Sequence, residues 1–483
     1  MTSCNYTTYL HTRTRTIRWA QPTHDGQSLN VERHLLGHCR DTNANQNENA
    51  RSASNGCDGD DDDKTKAKTK ASPKHHVETN AVVANDATRA TTATRHIQNG
   101  NALVYQGDYR NAKQLLTAIK RRITKSQLRV PFTKPGTTTN TNTSNTTTIQ
   151  TNTITQQWNE QRRRIRELSQ QMNMVMVQVD SDHTLRDLDC APNNEVVRTI
   201  LSSNYSQRKE PYVMPLRELL GMIGAHEWYK RGVFIPHIQT YIYPHYGVFA
   251  PTRNEYLDLI DRAPTTFFHP NPNTDADADA NTGAVMMDIG IGTGVIAALM
   301  LQKGNIGRVI GTDTNPSAIA CAKDNMVRLG LSDKVELVQA NIFPPRRTDR
   351  NGATKADLII CNPPWLPGKP ESWLDCAVYD EDSSFLREFL SSAHYHLNDR
   401  NPHAEVWLVL SDMAERLGLR AKDEVIHMIE SGNLQIVDVH HTLPAHSKAV
   451  TCQKKSPSNE PFKEVAAARA AETVSLYRLR QKI

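Results

Sequence analysis

The chain has 483 residues, of which 38% are hydrophobic and only 6% aromatic, a composition typical of a folded part diluted by a polar part. It has no run of about 18 apolar residues and no C-x-x-C pair among its eight cysteines, which excludes a membrane-spanning helix and argues against a disulfide scaffold or a cysteine-rich zinc module. Residues 1–150 hold 21 Lys and Arg against 12 Asp and Glu, a net +9, whereas residues 151–483 are net −4 and offer no strong positive field for phosphates.

Residues 1–95 are predicted to form a disordered tail. Thr, Asn, Ser and Ala predominate, and the acidic run Asp60–Asp63 is followed by four alternating lysines. Such a segment cannot bury enough apolar surface to offset the entropy lost on ordering. Residues 1–24 contain three arginines and no acid, a composition that also permits a mitochondrial transit peptide. The favoured location is therefore cytoplasmic, with the mitochondrion as the alternative.

Residues 96–245 are predicted to form a small, mainly helical domain. Apolar residues recur at helical spacing in Gly107–Ile123, and a second helix is indicated over Trp158–Met172. The Thr/Asn-rich tract 134–155 is interpreted as a low-complexity insertion. The basic cluster Lys120–Lys125 is interpreted as a solvated helix face, with a nucleic-acid patch as the alternative.

Residues 246–483 are predicted to form an α/β domain, with the Asp/Ala-rich tract 271–282 as a second insertion. From Val285 onward, short apolar runs alternate with helical segments, beginning with a strand at Val285–Ile289 and a helix at Val295–Gln302. This alternation predicts a doubly wound, mostly parallel sheet.

No metal site is predicted, although two groups of residues have suitable ligand chemistry. They are His34, His38 and Cys39, and His440, His441 and His446. The first group lies in a segment of disordered composition without a fourth ligand in register, and the second is better explained by capping or surface positions.

A glycine-rich loop follows the first strand of the α/β domain and reads Asp288-Ile-Gly290-Ile-Gly292-Thr293-Gly294. Glycines permit a tight turn and close approach of the backbone to a ligand. Dinucleotide sites place the third glycine five residues after the first, whereas here it follows after four and an acid precedes the first glycine by two. The loop resembles motif I of class I S-adenosylmethionine-dependent methyltransferases, with a structural strand–turn–helix as the alternative. The resemblance implies that S-adenosyl-L-methionine, whose cationic amino-acid part suits a nearby acid, is bound by five residues of this loop. They are Asp288, Gly290, Gly292, Thr293 and Gly294.

Two further positions follow the next two strands. Asp313 ends the second strand, 25 residues after Asp288, where a carboxylate can accept bonds from ribose hydroxyls. The alternative is a helix N-cap, for which Asn315 competes. The methyltransferase pattern places a polar residue against the adenine amino group and an apolar neighbour on the ring, which implies these roles for Asn341 and Ile342. A simple turn is the alternative there.

The fourth strand is followed by Asn362-Pro363-Pro364-Trp365. This segment resembles the (N/D)PP(Y/F/W) signature of methyltransferases that act on planar nitrogen, with a plain turn as the alternative. The prolines restrict the backbone, so the Asn362 side-chain oxygen and the Pro363 carbonyl can each accept one N–H of an –NH2 group. Trp365 offers a flat face for stacking.

An amide or aryl amine is a poor nucleophile because its lone pair is delocalised. Holding both N–H bonds while the nitrogen lies in line with the methyl group localises that lone pair, so catalysis is mostly orientation with electrostatic help. No separate base is needed at the outset, since the proton leaves after charge develops.

A segment before the sheet, His245-Tyr246-Gly247-Val248-Phe249-Ala250-Pro251-Thr252-Arg253, completes the resemblance. It is similar to the lead-in segment of HemK-like and "methyltransferase small domain" proteins, although Thr252 separates the proline from the arginine. The resemblance implies that Tyr246, Phe249 and Arg253 lie near the substrate. Core packing competes as the role of Phe249.

The family resemblance implies an N-methyltransferase with S-adenosyl-L-methionine as cofactor, and two alternatives to the favoured function remain. The favoured acceptor is a glutamine side-chain amide of a protein. The first alternative is an exocyclic amino group of RNA or DNA, and the second is a non-catalytic cofactor-binding protein. The acidic residues Asp380–Asp382 disfavour phosphates, whereas the basic helical domain favours them. The expected partner is a protein or nucleic-acid substrate and no membrane; the oligomeric state is left open.

Overall fold

The computed structural model describes residues 16–18, 30–32, 79–129, 146–191, 194–205, 210–265, 283–345, 355–444 and 462–482. The group His34, His38 and Cys39, the residue His446 and the tract 271–282 lie outside these ranges. Within them, no helix combines the length and the apolar character needed to cross a membrane. No group of three or more His, Cys, Asp or Glu in the same ranges is placed to hold a metal ion.

Helices make up most of the regular structure of the N-terminal domain, but they pack on a sheet that was not predicted. Its main sheet has the strand order β2-β1-β3-β4-β6-β7, and β9 pairs with β6. The strands are β1 (Thr16–Arg18), β2 (Asn30–Glu32), β3 (Thr79–Ala84), β4 (Ala102–Tyr105), β5 (Gly107–Asp108), β6 (Val175–Val179), β7 (Leu185–Arg186), β8 (Leu188–Asp189) and β9 (Tyr212–Pro215).

Helices connect these strands, and the first of them begins before the predicted domain boundary. They are α1 (Ala90–Gln98), α2 (Tyr109–Arg129), α3 (Thr146–Met172), α4 (Asn194–Tyr205) and α5 (Leu216–Arg231). Strands β1, β2 and β3 and most of α1 lie within the segment predicted as a disordered tail. Helix α1 is ordered because Ala93 and Ile97 are buried in the core of this sheet. Helix α3 likewise begins inside the Thr/Asn-rich tract predicted as an insertion.

A hairpin and a helix lead into the C-terminal domain. They are β10 (Val233–Ile235), β11 (Thr240–Ile242) and α6 (Glu255–Arg262). The remaining strands are β12 (Ala284–Ile289), β13 (Ile306–Asp313), β14 (Val335–Gln339), β15 (Leu358–Cys361), β16 (Leu366–Pro367), β17 (Tyr379–Asp380), β18 (Glu405–Ser411), β19 (Leu434–Thr442) and β20 (Val474–Gln481). The remaining helices are α7 (Val295–Gln302), α8 (Pro316–Leu329), α9 (Trp373–Cys376), α10 (Ser384–Ala393), α11 (Met413–Arg416), α12 (Glu424–Ser431) and α13 (Lys463–Ala470).

The C-terminal sheet confirms the predicted doubly wound, mostly parallel fold. Its seven strands have the order β14-β13-β12-β15-β18-β20-β19. The first five run parallel, whereas β20 runs antiparallel to both of its neighbours. Both faces are covered: Met286 packs with α6, α7 and α8, and the next residue, Met287, packs with α10 and α12. A strand buried on two faces needs continuous apolar residues, which explains the unbroken run before the glycine loop.

A buried ionic cluster joins the two antiparallel strands β18 and β20. Glu405 is fully buried and accepts hydrogen bonds from the indole N–H of Trp407 at 2.8 Å and from both Arg478 and Arg480. Removing one partner of a buried pair leaves the other charge uncompensated.

We therefore expect Glu405→Ala to lower the free energy of unfolding by about 3–5 kcal/mol, because Arg478 and Arg480 lose their shared carboxylate, although Arg478 keeps the more distant Asp438, at 3.6 Å. Urea denaturation followed by circular dichroism measures this change. Glu336→Ala is the matched control, since its pair with Arg308 lies at the surface, and it is expected to cost less than about 1 kcal/mol. Equal losses in the two variants would contradict the expected cost of leaving the two guanidinium groups without Glu405.

Candidate active site

The glycine loop folds back over the end of β13. The backbone N–H groups of Gly290 and Ile291 both donate to the Thr312 carbonyl, at 2.9 and 2.8 Å. Gly290 has a φ of +75°, and a Cβ built there would meet no atom within 4 Å. Gly294 has a φ of +80°, but a Cβ there would lie 2.8 Å from Met326. Gly290 therefore lines open space, whereas Gly294 allows close packing of the loop on α8.

Asp288 lies buried beneath this loop with one oxygen in use. Its Oδ2 accepts the Ala297 N–H at 3.2 Å, at the start of α7. The residue as a whole is 1% exposed. Its Oδ1 has no hydrogen-bond partner within the described residues. Burial raises the pKa of the Asp288 carboxyl to about 7, against a smaller lowering by the Ala297 N–H.

Asp313 holds the loop rather than capping the next helix. Its Oδ2 accepts the Gly292 N–H at 3.1 Å, and its Oδ1 accepts the Asn315 N–H at 2.9 Å. Asn315 is the cap of α8, since its side-chain oxygen accepts the Ser317 N–H at 3.0 Å. Burial raises the pKa of Asp313, while these two N–H groups act to lower it. Each of its oxygens keeps a lone pair for a further donor.

The end of β14 brings Asn341 and Ile342 to the same edge of the sheet. Asn341 is exposed, and its amide donates to Glu388 at 3.3 Å. Ile342 is 3% exposed, and its carbonyl accepts the Thr312 hydroxyl at 2.6 Å. Thr312 thereby connects the glycine loop, through its own carbonyl, to the segment after β14.

Asn362 and Trp365 face each other immediately after β15. The Trp365 indole N–H donates to Asn362 Oδ1 at 3.0 Å. This bond uses one of the two lone pairs on that oxygen and leaves the other for a further N–H donor. Pro363 is buried and Pro364 half-buried, so the turn between the two side chains is held in place.

The lead-in segment contributes Arg253 to the site. The Arg253 guanidinium carbon lies 4.8 Å from the centre of the Trp365 ring. Tyr246 lies elsewhere, against α5. Its ring is 3.8 Å from the position that a Cβ would occupy if Gly221 had a side chain. Phe249 is 41% exposed, so the alternative of core packing for this residue was wrong. The described contacts therefore bring only Arg253 of these three residues onto the Asn362–Trp365 turn.

Asn325 is a residue that the sequence patterns did not single out. It is 1% exposed on α8, and its amide group donates to the Thr293 carbonyl at 3.0 Å while its oxygen accepts the Tyr243 N–H at 2.8 Å. It fastens the lead-in segment to the glycine loop. The available signal was a polar residue at the helical spacing of Cys321 and Ala322, both buried.

Helix α3 of the N-terminal domain packs beside the loop that follows Trp365. The Arg162 guanidinium carbon lies 3.7 Å from the centre of the Tyr379 ring, and its Nη2 donates to the Lys369 carbonyl at 3.2 Å. Trp158 is buried with Leu366 and Leu417. The N-terminal domain thus borders the loop that follows the Asn362–Trp365 turn.

Three exposed acids follow β17, and we call Glu381, Asp382 and Glu388 the acidic rim. Asp380 does not belong to it, because it is buried and its oxygens accept the Phe385 and Leu386 N–H groups at the start of α10. The predicted acidic loop therefore divides into one structural carboxylate and a rim that is open to solvent.

The loop fits the cofactor that its motif implies. Gly290 gives a surface where a ligand can meet the backbone, and the unpartnered Oδ1 of Asp288 suits a cationic group. Asp313 presents two oxygens at the end of the neighbouring strand β13. An acid at this place after a glycine loop is expected to accept hydrogen bonds from ribose hydroxyl groups. These residues would hold S-adenosyl-L-methionine across the carboxyl ends of β12 and β13.

Comparison with known proteins agrees with this geometry. Residues 274–412 match the family model described as "Methyltransferase small domain". The "Bifunctional methyltransferase" of Rickettsia felis is 24% identical over 173 residues, which cover 34% of this chain and 31% of that protein. The "Release factor glutamine methyltransferase" of Moorella thermoacetica is 35% identical over 80 residues, covering 17% and 26%.

The "tRNA1(Val) (adenine(37)-N6)-methyltransferase" of Porphyromonas gingivalis is 34% identical over 80 residues, which cover 17% of this chain and 31% of that protein. The chain thus spans about a third or less of the length of the curated relatives it matches. The sheet order, the glycine loop and the family match together show that residues 274–412 are a methyltransferase small domain of the S-adenosylmethionine-dependent class.

Proposed function

We propose that the chain is an S-adenosylmethionine-dependent N-methyltransferase whose acceptor is a planar –NH2 nitrogen, preferably the side-chain amide of a protein glutamine. The observation that carries this function is the adjacency of two loops. Strands β12 and β15 are direct neighbours, and Ile289 pairs with Cys361. The glycine loop and Asn362 therefore leave the sheet side by side, which brings a bound cofactor and an acceptor together.

The residues of the turn orient and activate the acceptor. Asn362 Oδ1 and the Pro363 carbonyl accept its two N–H bonds, while the Trp365 ring keeps its plane fixed. When bound, the cofactor supplies an electrophilic methyl group. Both acceptor oxygens become better partners as positive charge develops on the nitrogen, so the turn stabilises the transition state more than the ground state.

Charge on the acceptor side favours a protein over a nucleic acid. Residues 151–483 are net −4, and Glu381 and Asp382 of the acidic rim lie in a short helical turn that packs against β16, just after Trp365. A phosphate backbone would approach against this charge. The relative from Moorella thermoacetica is named for a glutamine of a release factor, which agrees with a protein amide.

A second candidate acceptor is the exocyclic amino group of a base in RNA or DNA. The observation that favours it is a basic face of α2 that carries Arg110, Lys113 and Arg121. Basic side chains along one helix face attract phosphates. The relative from Porphyromonas gingivalis is named for an adenine of a tRNA.

The test is transfer of labelled methyl groups from S-adenosyl-L-methionine to cell extract, followed by separate digestion with protease and with nuclease. Loss of macromolecular label to protease alone is the expected result. Loss to nuclease alone would replace the glutamine acceptor by the base acceptor. Measurable cofactor binding with no transfer to any acceptor in the extract would favour the non-catalytic alternative.

The raised pKa of Asp288 gives a pH dependence to cofactor binding. Below a pKa of about 7 the carboxyl is neutral, and above it the carboxylate can pair with the cofactor ammonium. Affinity is therefore expected to rise about fivefold from about pH 6 to about pH 7, as the ionised fraction of Asp288 grows while an α-amino group stays largely protonated. Calorimetric titration measures this slope, which Asp288→Asn should flatten. The same slope in that variant would exclude Asp288 as its source.

A further inference from the structure

Three charged side chains from two distant parts of the chain converge behind Trp365. Arg253 lies before α6, Glu255 begins that helix, and Glu472 lies just before β20. The Arg253 guanidinium covers one face of the Trp365 ring at 4.8 Å, and the other edge of the ring donates its N–H to Asn362. The connection thus runs from Arg253 through Trp365 to Asn362 Oδ1, the oxygen proposed to accept a hydrogen bond from the substrate.

The two carboxylates fix the plane of the guanidinium. Glu255 is 3% exposed and accepts from Arg253 Nε, while Glu472 is 6% exposed with Oε1 at 3.4 Å from both Nη atoms. Ser411, at the end of β18, holds Glu472 by donating its hydroxyl at 2.7 Å. Carboxylates on two sides of a planar fork leave it little freedom to rotate, so its face stays against the indole.

Burial of these charges gains little stability by itself, because desolvation offsets most of the attraction within a buried pair. The cluster instead has a geometric consequence for Asn362. With the indole N–H fixed, the amide oxygen of Asn362 must point toward it. If the indole moved away, the amide could turn over and present its NH2 to the acceptor NH2, where two donors would oppose each other.

We propose that Arg253, Glu255 and Glu472 are positioning residues that hold Trp365, and through its N–H the amide of Asn362, in the orientation that accepts the substrate. This role rests on the proposed N-methyltransferase function. The three residues act through the Trp365 ring and do not contact the reacting atoms. Glu472 and Ser411 thereby give the C-terminal strand β20 and the end of β18 a part in selecting a planar –NH2 group.

The first test follows the Trp365 indole N–H by ¹⁵N-resolved NMR on the full chain, so it does not depend on activity. Trp365→Phe identifies the signal by its disappearance. Glu472→Gln keeps an oxygen for Ser411 but removes the charge, and Arg253→Met removes the stacked cation. Each is expected to shift this signal and to accelerate its hydrogen exchange at least about tenfold, since the indole loses its support.

Glu424→Gln is the matched control, because it alters a surface pair with Arg387 at 2.7 Å and should leave the Trp365 signal unchanged. An unchanged Trp365 signal in Glu472→Gln would overturn the positioning role, even if Arg253→Met failed to fold. This outcome differs from failure of the proposed function, in which the wild-type chain transfers no label while the NMR result stands.

The second test uses the initial rate of label transfer into cell extract at saturating S-adenosyl-L-methionine. Arg253→Met is expected to reduce the rate about tenfold in the wild-type background, with cofactor affinity unchanged, and less than about twofold in the Trp365→Phe background. Such coupling shows that Arg253 acts through Trp365, whereas a merely structural residue would give additive losses. Additive losses would overturn the positioning role.

Discussion

Methyl transfer is expected to fall about a hundredfold to a thousandfold in Asn362→Ala, with cofactor affinity unchanged, because the variant lacks a preorganised acceptor for one substrate N–H. The Pro363 carbonyl would remain, but one acceptor cannot hold the –NH2 group in the plane that localises its lone pair. The loss should appear in the transfer rate at saturating cofactor rather than in cofactor binding. Radiolabel transfer gives the rate, and calorimetric titration gives the affinity for S-adenosyl-L-methionine.

Asn204→Ala controls for the substitution itself, because Asn204 is exposed on α4 in the N-terminal domain. It should transfer label at the wild-type rate. Transfer by Asn362→Ala within about tenfold of wild type would argue against the catalytic role of this side chain, since one lost electrostatic donor or acceptor typically costs more. A variant that lost cofactor binding as well would indicate a structural role for Asn362 in the turn.

Gly290→Ala is expected to weaken cofactor binding at least about thirtyfold while the protein stays folded, because the new methyl group occupies the surface that the ligand would contact. A Cβ at this position meets no protein atom within 4 Å, so the substitution creates no clash within the chain. Its cost to stability is the backbone cost alone, about 1 kcal/mol for a φ of +75°. Titration with S-adenosyl-L-methionine and thermal unfolding measure the two effects separately.

Gly304→Ala provides a close control for that backbone cost. Gly304 has a φ of +84°, a Cβ there also meets nothing within 4 Å, and it follows α7 at the opposite end of the helix from the loop. The two variants should lose similar stability, and only Gly290→Ala should lose affinity. If both bound the cofactor equally well, the glycine loop would not be the cofactor surface.

The main features of the candidate site could be predicted from sequence because each lies in one short segment after a strand. The loop at Gly290, the carboxylate at Asp313 and the turn at Asn362 required only that parallel strands end at a common edge. The contact between Arg253 and Glu472 could not be predicted in this way. These residues are 219 positions apart, and no local pattern encodes their meeting.

The N-terminal domain was predicted less well, for a related reason. Strand β4 is a four-residue apolar run, and such a run cannot be distinguished from a buried helical segment by periodicity. Its partner β6 begins at Val175, beyond two long helices, so the pairing that makes β4 a strand is non-local. Helix α3 begins among Thr and Asn residues of low helix propensity, which concealed its start.

The placement of β20 between β18 and β19 has a consequence for synthesis of the protein. The ribosome delivers β19 before β20, so β19 has no partner in the sheet until β20 folds back and inserts beside it. Until then, the edge of β18 presents unpaired backbone groups along a strand that is buried in the finished fold. Open strand edges of this kind are where nascent chains pair with one another. We therefore expect aggregation during translation to be most acute after β19 has emerged from the ribosome and before β20 has emerged.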